Sequence, residues 1–183
     1  METLIVGAMA TNCYIVDGII IDPGDDAEYI MAHVKNPKMI IATHGHFDHI
    51  MAAYALQLAY NIPFYIHQDD IFLLKTMRSS AQHFLGLKDV DPPPTPSLIR
   101  DIEFIHTPGH TPGSMCLKFG DALFVGDTIF ADGSVGRTDF SYSDPEKLEL
   151  SLKTILSYPK NTKLYPGHGE ETTVEAETTY HRV

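Results

Sequence analysis

Basic residues are scarce in this chain. Thirteen Lys and Arg stand against 24 Asp and Glu, a formal net charge of −11, and no run of them reads as a phosphate-tracking stripe. A nucleic acid partner is therefore not expected, because a phosphate backbone needs clustered cations. Cysteine is rarer still. Cys13 and Cys116 each fall in an apolar, strand-like run; buried reduced thiols are the expectation, with a disulfide left open. No apolar stretch approaches the length that spans a bilayer, so no membrane partner is expected. Met1 to Gly7 offers no basic n-region and no long apolar core, so no signal peptide is expected and cytoplasmic is the default location. A Gly-x-Ser-x-Gly elbow is missing too, since Ser114 lies in Gly113-Ser114-Met115. No repeat relates the two halves.

What is present fits a soluble globular enzyme. The 183 residues are 44% hydrophobic and 20% charged, enough for a real core and expected to form one domain over 1–183. Leu4–Val6, Cys13–Val16 and Ile19–Ile21 read as strands, with Asp17-Gly18 as a hairpin turn. Residues 25–34 read as a helix, with Ala27, Ile30, Met31 and Val34 on one face. Strands at 39–43 and 64–66, a helix from Ile50 and mostly helical structure over 69–85 follow, with fraying expected at 83–86. Asp91-Pro92-Pro93-Pro94-Thr95-Pro96 excludes helix and reads as an extended connection. Beyond it come strands at 102–106, 115–119, 122–126 and 163–165, and a helix around 145–156 with Ser143 or Asp144 as N-cap and Pro145 in its first turn. Loosely alternating strands and helices with hairpins predict an α/β architecture with mixed sheets.

The most informative stretch is Thr43-His44-Gly45-His46-Phe47-Asp48-His49. It packs three imidazoles and a carboxylate into six residues after an apolar run, on a strand-to-helix loop where a rigid scaffold presents chemistry. Such donors suit Zn, Fe or Mn. His110, Asp127 and His168 each follow a further apolar run, flanked by Gly or Pro where the backbone must turn tightly. One such residue is ordinarily a loop residue with a satisfied hydrogen bond. Four strand-end clusters in one small chain point to a shared metal site.

His-x-His-x-Asp-His followed by a later His, an Asp and a final His resembles the metallo-β-lactamase superfamily. The likeness runs from Asn12-Cys13-Tyr14 and Ile21-Asp22-Pro23-Gly24 to His168. It is closest to short, single-domain proteins similar to glyoxalase II, which also carry Gly136-Arg137-Thr138-Asp139-Phe140. The resemblance implies an αββα sandwich of two mixed β-sheets flanked by helices. It implies two divalent metal ions, Zn first with Fe or Mn as alternatives. His44, His46 and His110 would hold one; Asp48, His49 and His168 would hold the other; Asp127 would bridge both. A hydroxide shared by the metals is then the implied nucleophile, with Asp48 and Asp127 as the catalytic carboxylates. Two dications would also offset the negative charge locally, leaving room for a small anionic substrate.

Glyoxalase II-like proteins hydrolyse thioesters, typically S-lactoylglutathione, so a small-molecule thioester is the expected partner. The helical domain that supplies glutathione contacts in full-length glyoxalase II is not expected here, since 15 residues follow His168. The rival on the same fold is a persulfide dioxygenase with one iron on His44, His110 and Asp127. Such proteins usually carry Cys before the Gly-Arg-Thr-Asp-Phe motif and Asp-Tyr after the last His, where this chain has Gly133-Ser134-Val135 and Gly169-Glu170. Arg in place of His49 and Cys near Asp127, typical of true β-lactamases, are also missing. So is the Glu at His46 of flavin-linked members. Arg137 either pairs with Asp139 or meets an anionic substrate. His67 and His106 suit hydrogen bonding better than ligation, His33 and His181 suit the surface, and Tyr165 and Phe84 suit a core. A lid over 83–97 and the oligomeric state are left open.

Overall fold

Short apolar runs separated by turn residues become two sheets in the computed structural model, which describes residues 1–97 and 102–181. The chain divides into two compact units, Met1–Arg100 and Asp101–Val183, and each carries one sheet. Among the described residues no helix is long and apolar enough to cross a membrane.

In the first unit β1 (Glu2–Val6), β2 (Thr11–Val16) and β3 (Ile19–Ile21) form an antiparallel meander. Asp17 and Gly18 join β2 to β3 with φ of 50° and 85°, the two left-handed residues that a tight hairpin turn requires. Helix α1 (Ala27–His33) then crosses to β4 (Met39–Ile41), parallel to β3. Helices α2 (Phe47–Ile50) and α3 (Ala53–Tyr60) lead to β5 (Phe64–Tyr65), parallel to β4. Helices α4 (Ile71–Leu74) and α5 (Met77–Leu85) and the proline-rich stretch lead to β6 (Pro96–Ser97), parallel to β5. The sheet order is sequential, β1 to β6. Ile20, Ile40 and Phe64 from the strands bury against Ile30, Ile50 and Leu56 from the helices, each worth about 1.5–3 kcal/mol relative to exposure. Strand β4 is apolar and fully buried at both Ile40 and Ile41, as a central parallel strand must be.

The second unit contains β7 (Phe104–His106), β8 (Met115–Phe119), β9 (Ala122–Gly126), helix α6 (Pro145–Leu156), β10 (Lys163–Pro166), β11 (Thr172–Thr173) and helix α7 (Val174–Thr178). The sheet order is β11-β10-β9-β8-β7, with β9 and β10 parallel and the other pairs antiparallel. The β9–β10 register shifts between Tyr165 and Pro166: Tyr165 faces Phe124, but Pro166 faces Gly126. Asp144 caps α6 by accepting from the Glu146 and Lys147 amides at 3.1 Å each, and Pro145 fills the position where a missing N–H is harmless. The helix buries Leu148, Leu152, Ile155 and Leu156 with Cys116, Leu123, Val125 and Leu164 of the sheet.

Three departures from the sequence reading have local causes. Helix α1 starts at Ala27 rather than Asp25, because Asp26 adopts φ 53° and its carboxylate accepts the Gly7 amide at 2.8 Å. The helix expected from Ile50 begins at Phe47, inside the histidine motif, so Asp48 and His49 lie in a first helical turn rather than on a loop. Helix α5 does not fray before Leu85; Gly86, at φ 71°, ends it in the left-handed conformation.

Candidate metal centre

In the first unit, β4 delivers Thr43 to His49 to the end of the sheet. The group that organises them is Asp22, at the end of the neighbouring strand β3. This carboxylate is 1% exposed. It accepts the Thr43 amide at 2.6 Å and the Thr43 hydroxyl at 2.7 Å, and its Oδ2 lies 3.0 Å from His49 Nδ1. A carboxylate can only accept there, so Nδ1 carries the proton and the Nε2 lone pair of His49 is left for a ligand. His44 Nε2 lies 3.1 Å from His46 Nδ1, and the His44 and His49 rings lie 4.1 Å apart between centroids. Asp48 Oδ2 is 3.8 Å from His49 Nε2. Two close packings hold the motif. The Gly45 amide donates to the buried Asp70 carboxylate at 2.8 Å. A Cβ on Gly24 would come within 1.8 Å of the Asp48 carbonyl oxygen, so only glycine lets α2 approach so near.

In the second unit, Asp127 leaves the end of β9 and His168 the end of the adjacent β10. Asp127 Oδ2 sits 3.7 Å from His168 Nε2 and 3.6 Å from His110 Nε2. One carboxylate oxygen thus lies between two imidazole nitrogens at nearly equal distances. The His110 ring is oriented from its other side, where Nδ1 is 2.8 Å from the Arg137 carbonyl oxygen; a carbonyl fixes the proton on Nδ1 and leaves Nε2 to ligate. The loop that carries His110 is tied to α6 and its approach: the Ser143 hydroxyl donates to the His110 carbonyl and the Ser151 hydroxyl to the Pro108 carbonyl, both at 2.7 Å. A Cβ on Gly136 would lie 1.9 Å from the Asp127 carbonyl oxygen and 3.0 Å from the His110 ring.

The remaining polar residues divide clearly. Ser114 is buried, with its Oγ 2.7 Å from the Thr111 hydroxyl, which shapes the His110 loop. The Arg137 side chain is exposed. It pairs with Asp139 through Nε at 2.6 Å and lies over the Phe140 ring at 4.6 Å, and this pairing holds the Asp139 carboxyl down to about 2. His106 is exposed and donates to the Pro112 carbonyl at 2.9 Å, while His67 Nδ1 accepts the Asp69 amide at 3.3 Å. His33 is half-buried at the end of α1, with Nδ1 2.8 Å from the Tyr29 carbonyl oxygen, and Tyr165 is buried and stacked on Phe124. Phe84 is 46% exposed but stacks on Phe47. Cys13 and Cys116 are both free and buried. Burial pushes the Cys116 thiol up to about 12, against smaller opposing hydrogen bonds from Thr107 and Thr128. Burial, aided by nearby Asp22, also raises Cys13.

Sequence reasoning assigned no role to Asp22 or Asp70. Asp22 was findable, since an acid at the end of the apolar Ile19–Ile21 run, followed by Pro-Gly, is the same strand-end signal that marks Asp127. Asp70 carries no such signal in its helical context.

Imidazoles and carboxylates gathered at strand ends, their tautomers set by neighbouring acceptors, define a metal-binding protein. The chain belongs to the metallo-beta-lactamase superfamily, whose family model matches residues 6–168. The members are mostly hydrolases and bind divalent metals, and the two mixed sheets with flanking helices are the superfamily's fold. A protein of Aquifex aeolicus is 36% identical, covering 98% of this chain and 94% of its own length. The hydroxyacylglutathione hydrolase GloC of Haemophilus influenzae is 31% identical, covering 97% and 94%. Among solved structures, TTHA1623 in a di-iron-bound form is 34% identical, with a TM-score of 0.91 over 99% of this chain and 98% of that one.

Proposed function

We propose that this chain is a binuclear metallohydrolase that cleaves a small thioester, S-lactoylglutathione or a related one. His44, His46 and His110 would hold one divalent metal, Asp48, His49 and His168 would hold the other, and Asp127 would serve both. The observation that carries the binuclear reading is the Asp127 carboxylate oxygen lying between His110 Nε2 and His168 Nε2. The donor chemistry fits, because Asp22 and the Arg137 carbonyl each fix a ring proton on Nδ1 and leave Nε2 as the ligand atom. The nitrogen and oxygen set suits Zn, Fe and Mn alike. The thioester assignment is supported by the hydroxyacylglutathione hydrolase relative, which matches over nearly its whole length.

When bound, such a metal pair supplies a water of near-neutral pKa and polarises the carbonyl under attack. The protein's own groups complete the chemistry. Asp48, 9% exposed, takes the proton of the attacking water. Asp127 places one carboxylate oxygen within 3.7 Å of both the His110 and His168 Nε2 atoms. A thiol leaves readily as its anion, with an ordinary pKa of about 8.5, so a thioester needs no protonated side chain behind the leaving group. Neither Ser114 nor Cys116 acts as nucleophile: the hydroxyl is committed to Thr111, and the thiol is held protonated by burial.

The test is loss of thioester absorbance with S-lactoylglutathione on protein whose metals have been counted. Turnover by a two-metal form, abolished by chelation and restored by metal, is expected. A fully loaded protein without turnover refutes the substrate. Oxygen uptake with glutathione persulfide by a one-iron form would replace this reading with the dioxygenase built on His44, His110 and Asp127.

A further inference from the structure

A cleft of about 500 Å³ opens in the second unit, lined by Phe130, Asp132, Ser134, His168, Gly169 and Glu170. Its size is that of a small-ligand site, and His168 joins it to the proposed metals. One wall is the turn around Ala131–Gly133, where two successive residues, Asp132 and Gly133, take φ of 61° and 75°. A non-glycine residue in that region persists only where its surroundings hold it. The opposite wall is the segment from His168 to Glu170, which runs directly into β11.

Both walls end on one side chain. Glu177, in α7, is 1% exposed. Its Oε2 accepts the Gly133 amide at 2.8 Å, and its Oε1 accepts the Thr172 hydroxyl at 2.6 Å. The first bond pins the strained turn; the second pins β11, two residues past Glu170. Tyr180 backs the turn from the same side, because a Cβ on Gly133 would meet it at 2.6 Å.

We propose that Glu177 is a positioning residue that sets the width of this cleft, and that the cleft receives the substrate portion adjoining His168. The inference rests on the thioesterase reading for its substrate but not for its clamp. The clamp needs two contacts of defined polarity. Gly133 N–H can only donate, whereas the Thr172 hydroxyl can donate or accept. A glutamine therefore preserves both contacts, its oxygen on Gly133 and its amide nitrogen donating to Thr172. Alanine preserves neither.

The experiment compares Glu177→Ala and Glu177→Gln for hydrogen exchange at the Gly133 amide, bound metal, and KM and kcat on S-lactoylglutathione. Glu177→Ala is expected to lose protection at Gly133 and raise KM about tenfold, as for one interaction of ~1.4 kcal/mol. Its kcat and metal content should stay near wild type. Glu177→Gln is expected to restore both protection and KM. An unchanged KM in Glu177→Ala overturns the proposal, as does a Glu177→Gln that fails like alanine. Should alanine prevent folding, Thr172→Val releases one wall alone, and an unaltered KM there is equally fatal. A loaded wild-type protein that turns over no thioester refutes the thioesterase reading instead, and exchange at Gly133 then decides the clamp by itself.

Discussion

Replacing Asp22 with Asn exchanges one carboxylate oxygen for an amide nitrogen and keeps the side chain's shape, yet it should weaken metal binding. In the native arrangement Oδ1 accepts the Thr43 amide, while Oδ2 accepts the Thr43 hydroxyl and faces His49 Nδ1. The asparagine oxygen must stay on the Thr43 amide, which can only donate. Its NH2 group is then aimed at His49 Nδ1. The hydroxyl can reverse by rotation, but the imidazole can accept only by moving its proton to Nε2, the atom proposed to ligate. Loss of a neighbour of this kind typically lowers metal affinity about 10–100-fold, or ~1.4–2.7 kcal/mol. Competition against a chromophoric chelator reads the affinity, and thermal melting of the metal-free protein reads the fold separately. An Asp22→Asn protein with wild-type affinity would refute the tautomer argument. A variant that loses stability without metal but keeps its affinity would mean that Asp22 serves only the backbone turn.

Other expectations follow the same geometry. Asp127→Ala should abolish retention of the second metal and, with it, turnover, measured by elemental analysis and the thioester assay; full activity would sink the binuclear mechanism. Arg137→Ala should keep its metals, because His110 is oriented by the Arg137 carbonyl rather than the side chain. A raised KM with intact metals would assign the guanidinium to the substrate. Gly136→Ala should cost about 1–3 kcal/mol or more by overpacking, and metal with it, since its methyl would press on Asp127 and His110. Cys116 shapes the alkaline limit. Its folded thiol at about 12 stays protonated while the unfolded thiol, near 8.5, ionises. Stability should therefore fall from about pH 8.5 towards 12, by up to ~1.4 kcal/mol per pH unit for this group. Cys116→Ala should flatten that fall in denaturation curves taken from pH 8 to 10.

The candidate donors at 44–49 were legible because they lie close in sequence after one apolar strand, so type and spacing coincide within a few residues. The same locality made the Asp17-Gly18 hairpin and the capped helix α6 legible. What escaped depends on partners distant along the chain. Asp22 meets His49 across 27 residues, Gly45 meets Asp70 across 25, and Glu177 meets Gly133 across 44. None of these pairings leaves a mark on local periodicity. The early start of α2 escaped for another reason: Phe47, Asp48 and His49 carry ligand chemistry and helical geometry at once, and the former dominates the pattern. Strand β11 and helix α7 are too short to generate a periodic signal.

The shifted register between β9 and β10 also bears on which length changes this protein tolerates. Because Pro166 faces Gly126 and the Gly167 amide donates to the Gly126 carbonyl at 2.9 Å, His168 and Asp127 leave adjacent parallel strands side by side. Residues added at the exposed Ser157 lengthen the connection ahead of Thr162, whose carbonyl accepts the Val174 amide at 3.1 Å, and leave that exit where it is. A single residue added within Lys163–Pro166 turns every following side chain to the other face of the sheet and carries His168 away from Asp127. The same one-residue insertion is thus tolerated at Ser157 and disabling within Lys163–Pro166.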